Sequence, residues 1–95
     1  MAKARTVHDV KKFTDIPNVG KAIVEKYQSL GFKTPSELVG KDGYILYQKL
    51  CRKDEIRHDP CLLDTFLAVE DFMGGEVAKQ WFLYTEARKQ KYPNV

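Results

Sequence analysis

The residues best placed to do chemistry in this chain stand at Ile16-Pro17-Asn18-Val19-Gly20-Lys21, where a short break separates two helical patterns. A glycine at position 20 lets the backbone approach another molecule closely, and a helix beginning there leaves its first amide hydrogens without intrahelical acceptors. Those amides, the positive end of the helix dipole and the Lys21 ammonium together suit a phosphate oxygen. The amides of Asn18, Val19, Gly20 and Lys21 are thus the candidate phosphate-binding groups, with the side chains of Lys12, Lys26 and Lys33 as further cations. The plainer alternative is a break that only turns the chain and packs two helices together.

Other constellations are weaker. Cys51, His58 and Cys61 offer ligand types that suit zinc, but a fourth ligand is missing and the spacing matches no familiar finger. Cys51 falls on an apolar helical face, where a free thiol packs as a small hydrophobe. Two cysteines make no dense disulfide framework, in keeping with a reducing compartment. Glu70-Asp71 is a carboxylate pair, yet adjacent helical residues diverge by about 100° and do not act together on one atom. No catalytic residue, metal or cofactor is therefore assigned, and the chain is not read as an enzyme.

The elements that must position the break follow from periodicity. Thr6 and Asp9 resemble a capping box that starts a short helix through about Phe13, with Val7, Val10 and Phe13 or Ile16 inward. Ile23, Val24, Tyr27 and Leu30 recur at helical spacing until Gly31, with Phe32 placed to fold back on that helix. Thr34-Pro35-Ser36-Glu37 reads as N-cap, first-turn proline and capping-box glutamate of a helix burying Leu38 and Val39. Tyr44, Tyr47, Leu50 and Cys51 share the face of a fourth helix ending near Arg52 or Lys53. Asp59-Pro60 opens the central helix, with Leu62, Leu63, Phe66, Leu67, Val69 and Met73 inward and Gly74-Gly75 as its stop. Trp81, Phe82 and Tyr84 form an aromatic cluster before a short last helix from Thr85.

No stretch alternates with β-branched enrichment, so the expected fold is all-α: a compact bundle of five to six short helices, one domain over residues 6–92, with residues 1–5 flexible. A hydrophobic content of 43% with 31% charged residues suits a soluble folded chain, and no apolar run approaches the ~20 residues of a membrane span. The start MAKARTVHDVKK lacks the apolar stretch of a secretory signal, which points to the cytoplasm. Net charge is only +3, but residues 1–41 carry +4, residues 42–87 carry −4 and residues 88–95 carry +3. The break lies in the basic portion, and the acidic middle is unsuited to face a polyanion.

Ile16-Pro17-Asn18-Val19-Gly20-Lys21-Ala22 resembles the hairpin of helix-hairpin-helix DNA-binding modules, and Leu30 to Leu38 resembles the segment that follows it there. Asn18 departs from the pattern, standing where the first glycine usually is, and Asn is among the few other residues that tolerate a left-handed backbone. Over about residues 12–91 the chain is similar to the pathogenicity-locus family of small bacterial helix-hairpin-helix proteins, some of them labelled mitomycin-resistance proteins. That similarity rests on the hairpin, Leu46 to Cys51, Arg57 to Cys61 and Trp81 to Lys89. The first half also resembles the C-terminal domain of competence regulators.

These resemblances imply one helix-hairpin-helix motif, a bacterial cytoplasm and weak DNA binding through backbone phosphates, indifferent to base sequence. In lyase-type DNA glycosylases with this hairpin a catalytic lysine stands two residues after the last glycine; here that position is Ala22. The alternative reading is a protein-interaction or dimerisation module whose aromatic surface, from Tyr44, Tyr47, Trp81, Phe82 and Tyr84, meets a protein partner or a second copy.

Overall fold

The computed structural model describes residues 3–95. Its regular elements are four α-helices, α1 (Lys21–Ser29), α2 (Gly43–Asp54), α3 (Pro60–Met73) and α4 (Thr85–Lys91), and four 3-10 turns. The turns are Val7–Asp9, Phe13–Asp15, Pro35–Leu38 and Trp81–Tyr84, and no strand occurs among the described residues. The all-α expectation holds. The expected five to six helices do not: two of them are shorter, tighter turns.

The helix expected from Thr6 to Phe13 is two 3-10 turns separated by extended backbone at Val10. So short a segment closes too few hydrogen bonds to offset helix nucleation. The Asp15 carboxylate also accepts from the amides of Lys11 and Lys12, both at 3.0 Å, diverting donors a helix would have used. After Pro35 the expected capping box forms, with Glu37 Oε1 accepting from the Thr34 amide at 2.7 Å, but only one 3-10 turn follows. Val39, expected inside, is exposed.

The stops behave as their residues dictate. Gly31 adopts φ +97°, the Phe32 amide reaches back to the Tyr27 carbonyl at 3.1 Å, and the Phe32 ring stands edge-on to Tyr27. At the end of α2 it is Glu55, at φ +55°, that takes the left-handed position, so the helix runs past Lys53 to Asp54. Asp59 caps α3 by accepting from the Cys61 amide at 2.8 Å.

α3 is the hub. It packs against α2, α4 and the turns Pro35–Leu38 and Trp81–Tyr84, and buries Leu62, Leu63, Phe66, Val69, Phe72 and Met73. α2 approaches so closely at Gly43 that a Cβ there would lie 2.8 Å from the Phe66 carbonyl oxygen, while the Gly43 amide donates to Glu70 Oε1 at 2.7 Å. α4 is held by a buried pair: Arg88 Nε donates to Asp64 Oδ1 at 2.8 Å, and the Thr85 hydroxyl donates to Asp64 Oδ2, also at 2.8 Å. The four-residue 3-10 turn before α4 therefore has a fixed end.

Candidate functional site

The break between Ile16 and Lys21 is anchored by its apolar residues. Ile16 and Val19 are fully buried, and Tyr27 on α1 stacks on Phe66 of α3 with ring centroids 4.8 Å apart and on Phe13 at 6.2 Å. Between the two buried aliphatics, Pro17 and Asn18 occupy the middle of a four-residue turn closed by the Val19 amide donating to the Ile16 carbonyl at 3.1 Å. Asn18 has φ +72°, the left-handed value that the third position of a type II turn requires and that Asn tolerates better than most residues.

This turn sorts the four candidate amides. That of Val19 is spent on Ile16 and its residue is sealed from solvent, so Val19 is corrected from a phosphate ligand to an internal anchor. Among the described residues no acceptor takes the amide hydrogen of Asn18, Gly20 or Lys21, nor that of Ala22, which the sequence reading had not included. Gly20, Lys21 and Ala22 are exposed, whereas Asn18 is half-buried. Gly20 is the N-cap of α1 with extended backbone and no side-chain capping bond, so the amides of these three exposed residues are left without a capping partner.

The lysines do not form one cluster. Lys21 stands at the first position of α1, beside the open amides. Lys26 is five residues on, roughly 140° around a helix of 3.6 residues per turn, so it faces a different side. Lys33 lies beyond the far end of α1, roughly 13 Å from its start by the helical rise, with its amide bound to Glu37. Lys12 is exposed at the entrance to the hairpin, where its amide is held by Asp15. The amides of Lys11 and Lys12 together hold the Asp15 carboxyl below its usual 3.8.

One cation that periodicity could not find is at the turn. The Lys3 ammonium donates to the carbonyls of Thr14 and Val19, both at 2.6 Å, and the Ala4 amide donates to the Asp15 carbonyl at 2.8 Å. Of the segment 1–5 expected to be flexible, residues 1 and 2 lie outside the described residues, and Lys3 and Ala4 are thus docked on the hairpin.

Asn18 has a second role that its type alone did not announce. Its carboxamide donates from Nδ2 to the Lys79 carbonyl at 2.8 Å and accepts at Oδ1 from the Trp81 amide at 3.1 Å. A primary amide carries one donor face and one acceptor face, so it pairs with residues 79 and 81 as a neighbouring strand would. Between this seam and the N-terminal segment lies an open cleft of about 740 Å³ that includes Lys3, Arg5, Pro17, Lys79, Gln80 and Trp81.

The remaining candidates stand in other contacts. His58 Nε2 pairs with Asp54 at 2.7 Å, and the His58 amide donates to the Cys51 sulfur at 3.4 Å. Cys51 and Cys61 are both free thiols, and no group of three or more His, Cys, Asp or Glu able to share a metal occurs among the described residues. Of the aromatic surface, Tyr47 is buried, donating its hydroxyl to the His58 carbonyl, and Tyr44 stacks on Tyr92 at 3.9 Å. Tyr84 donates to Asp71 at 2.9 Å, which leaves Phe82 and, in part, Trp81 outward. Among the described residues no helix is long and apolar enough to cross a membrane.

The chain is 32% identical over 85 residues to the mitomycin resistance protein McrB of Streptomyces lavendulae, an alignment covering 90% of this chain and 81% of that protein. No solved structure matches. The model of the pathogenicity locus family matches residues 6–90, which include α1, α2, α3 and all but the last residue of α4, and to that family the chain belongs.

Proposed function

We infer that this protein binds DNA weakly and without regard to sequence, by presenting the exposed amides of Gly20, Lys21 and Ala22 to a backbone phosphate. The observation that carries this reading is the division of labour in the hairpin: Ile16 and Val19 are fully buried, while the amides just after them have no protein acceptor among the described residues. The positive end of the α1 dipole and the Lys21 ammonium reinforce an anion there. Contacts of this kind position a protein on a nucleic-acid strand but read no bases.

The experiment is a titration of labelled duplexes of unrelated sequence at two salt concentrations. Affinity is expected to be equal among sequences and to fall with salt as about two or three phosphate contacts require. Lys21→Glu is expected to weaken every duplex alike, by tenfold or so, and to flatten the salt slope by about one contact. Binding that ignores both salt and Lys21→Glu would contradict the assignment.

A second reading, an interaction or dimerisation module, draws on the outward apolar side chains of Val77 (78% exposed), Phe82 (55%) and Leu83 (61%). Sedimentation of the wild type and of Phe82→Ser separates the two: a concentration-dependent dimer lost in the variant supports this reading, and a monomer in both opposes self-association.

A further inference from the structure

The cleft beside the hairpin carries an inference that rests on the DNA-binding reading and narrows its ligand. We propose that the cleft between the N-terminal segment and residues 77–81 receives an unpaired base, so that the protein prefers single-stranded or frayed nucleic acid to intact duplex.

Three features converge there. The cleft holds about 740 Å³ and is open to solvent, room enough for a nucleobase. Trp81 lines it while remaining only half-buried, and Phe82 packs edge-on against the indole at 5.9 Å between centroids, which steadies the ring. Every base has a π face, so an indole held this way accepts any of them. Arg5 and Lys79 add two exposed cations to the rim and Gln80 an exposed carboxamide with both donor and acceptor capacity.

Position then links the cleft to the hairpin. The Asn18 carboxamide pins the Trp81 amide at 3.1 Å, and Asn18 is two residues from Gly20, at most about 7 Å of backbone. A phosphate on the Gly20 and Lys21 amides would thus place its own or the adjacent nucleotide at the mouth of the cleft. In a duplex that base is stacked and paired; in a single strand it is free to enter. Sequence tolerance follows from stacking and salt sensitivity from the rim cations.

Trp81 is the sole tryptophan, so its fluorescence reports the cleft directly. The 95-residue chain is titrated with a labelled oligothymidine and, separately, with a closed-loop duplex lacking free ends, following both label anisotropy and tryptophan emission. The expected result is tighter binding of the single strand, by about tenfold or more, with quenching of Trp81 that the duplex does not cause. Trp81→Leu should remove the single-strand preference, read by label anisotropy. Arg5→Ala combined with Lys79→Ala, which alters two exposed side chains, should reduce the preference severalfold while the melting temperature stays at the wild-type value.

Equal affinity for the two ligands, or a single strand that binds without quenching, overturns the cleft assignment while Lys21→Glu sensitivity leaves hairpin binding standing. Absence of binding to either nucleic acid overturns both.

Discussion

Asn18 shows how a departure from a motif can be a gain at the level of one side chain. Glycine would satisfy the φ of +72° equally well, but only asparagine both tolerates it and reaches the backbone of Lys79 and Trp81. Two substitutions separate these roles. Asn18→Gly keeps the turn and loses the seam, and should cost about 1–3 kcal/mol in thermal unfolding. Asn18→Ala loses the seam and also strains the turn, and should cost about 1–2 kcal/mol more. Equal stability of both variants and wild type would show that the seam does not hold. Asp15 supplies a pH test at the same scale. Its folded pKa lies below the ordinary 3.8 because the Lys11 and Lys12 amides bind the carboxylate. The stabilisation is therefore complete above the unfolded value and is lost as pH falls through the lowered one. The Lys11 and Lys12 amide resonances should titrate with a midpoint under 3.8; a midpoint at or above it would contradict these bonds. At this scale the sequence announced the left-handed Asn18 and the open Gly20 and Lys21 amides. It did not announce that Val19 would spend its amide on Ile16, because the register of a turn hydrogen bond is set by closure of the whole turn.

Among the elements, three caps and stops were legible, whereas the cap at Thr6, the left-handed stop at Glu55 and the short helices were not. Thr34 with Glu37, Asp59 with Pro60, and Gly31 with Phe32 act through neighbours in the chain, so local spacing suffices to place them. The segment from Thr6 to Phe13 carries helical spacing but too few residues for an α-helix, and tertiary contacts hold it as two turns. Gly43 gave no signal, since its meaning is the close crossing of α2 over α3. A methyl group there would meet the Phe66 backbone rather than a yielding side chain. Gly43→Ala should therefore destabilise by about 1–3 kcal/mol, although alanine is the better helix former. Chemical denaturation measures this, and a neutral or stabilising result would mean that the two helices separate freely.

Across the whole molecule, charge and anchoring are arranged around one end. The acidic excess of residues 42–87 includes Asp42, Glu70, Asp71 and Glu76, which line a shared hollow with Lys41, whereas Lys3, Arg5 and Lys79 line the cleft beside the hairpin. The Asp64–Arg88 pair fixes α4 and the Tyr27–Phe66 stack fixes α1, so both helices are tied to α3. The placement of Lys3 on the turn was beyond reach of the sequence, being a contact sixteen residues distant from Val19 with no periodicity to reveal it. Membership of the pathogenicity locus family, by contrast, was readable in four separated blocks. The most direct test of the central claim is an amide-resolved nuclear magnetic resonance titration of the full chain with DNA at low salt. The account predicts that Gly20, Lys21 and Ala22 shift first and most, that Val19 shifts less than they do, and that the surroundings of Glu70 and Glu76 stay still. Stationary Gly20, Lys21 and Ala22 resonances at saturating DNA would contradict it.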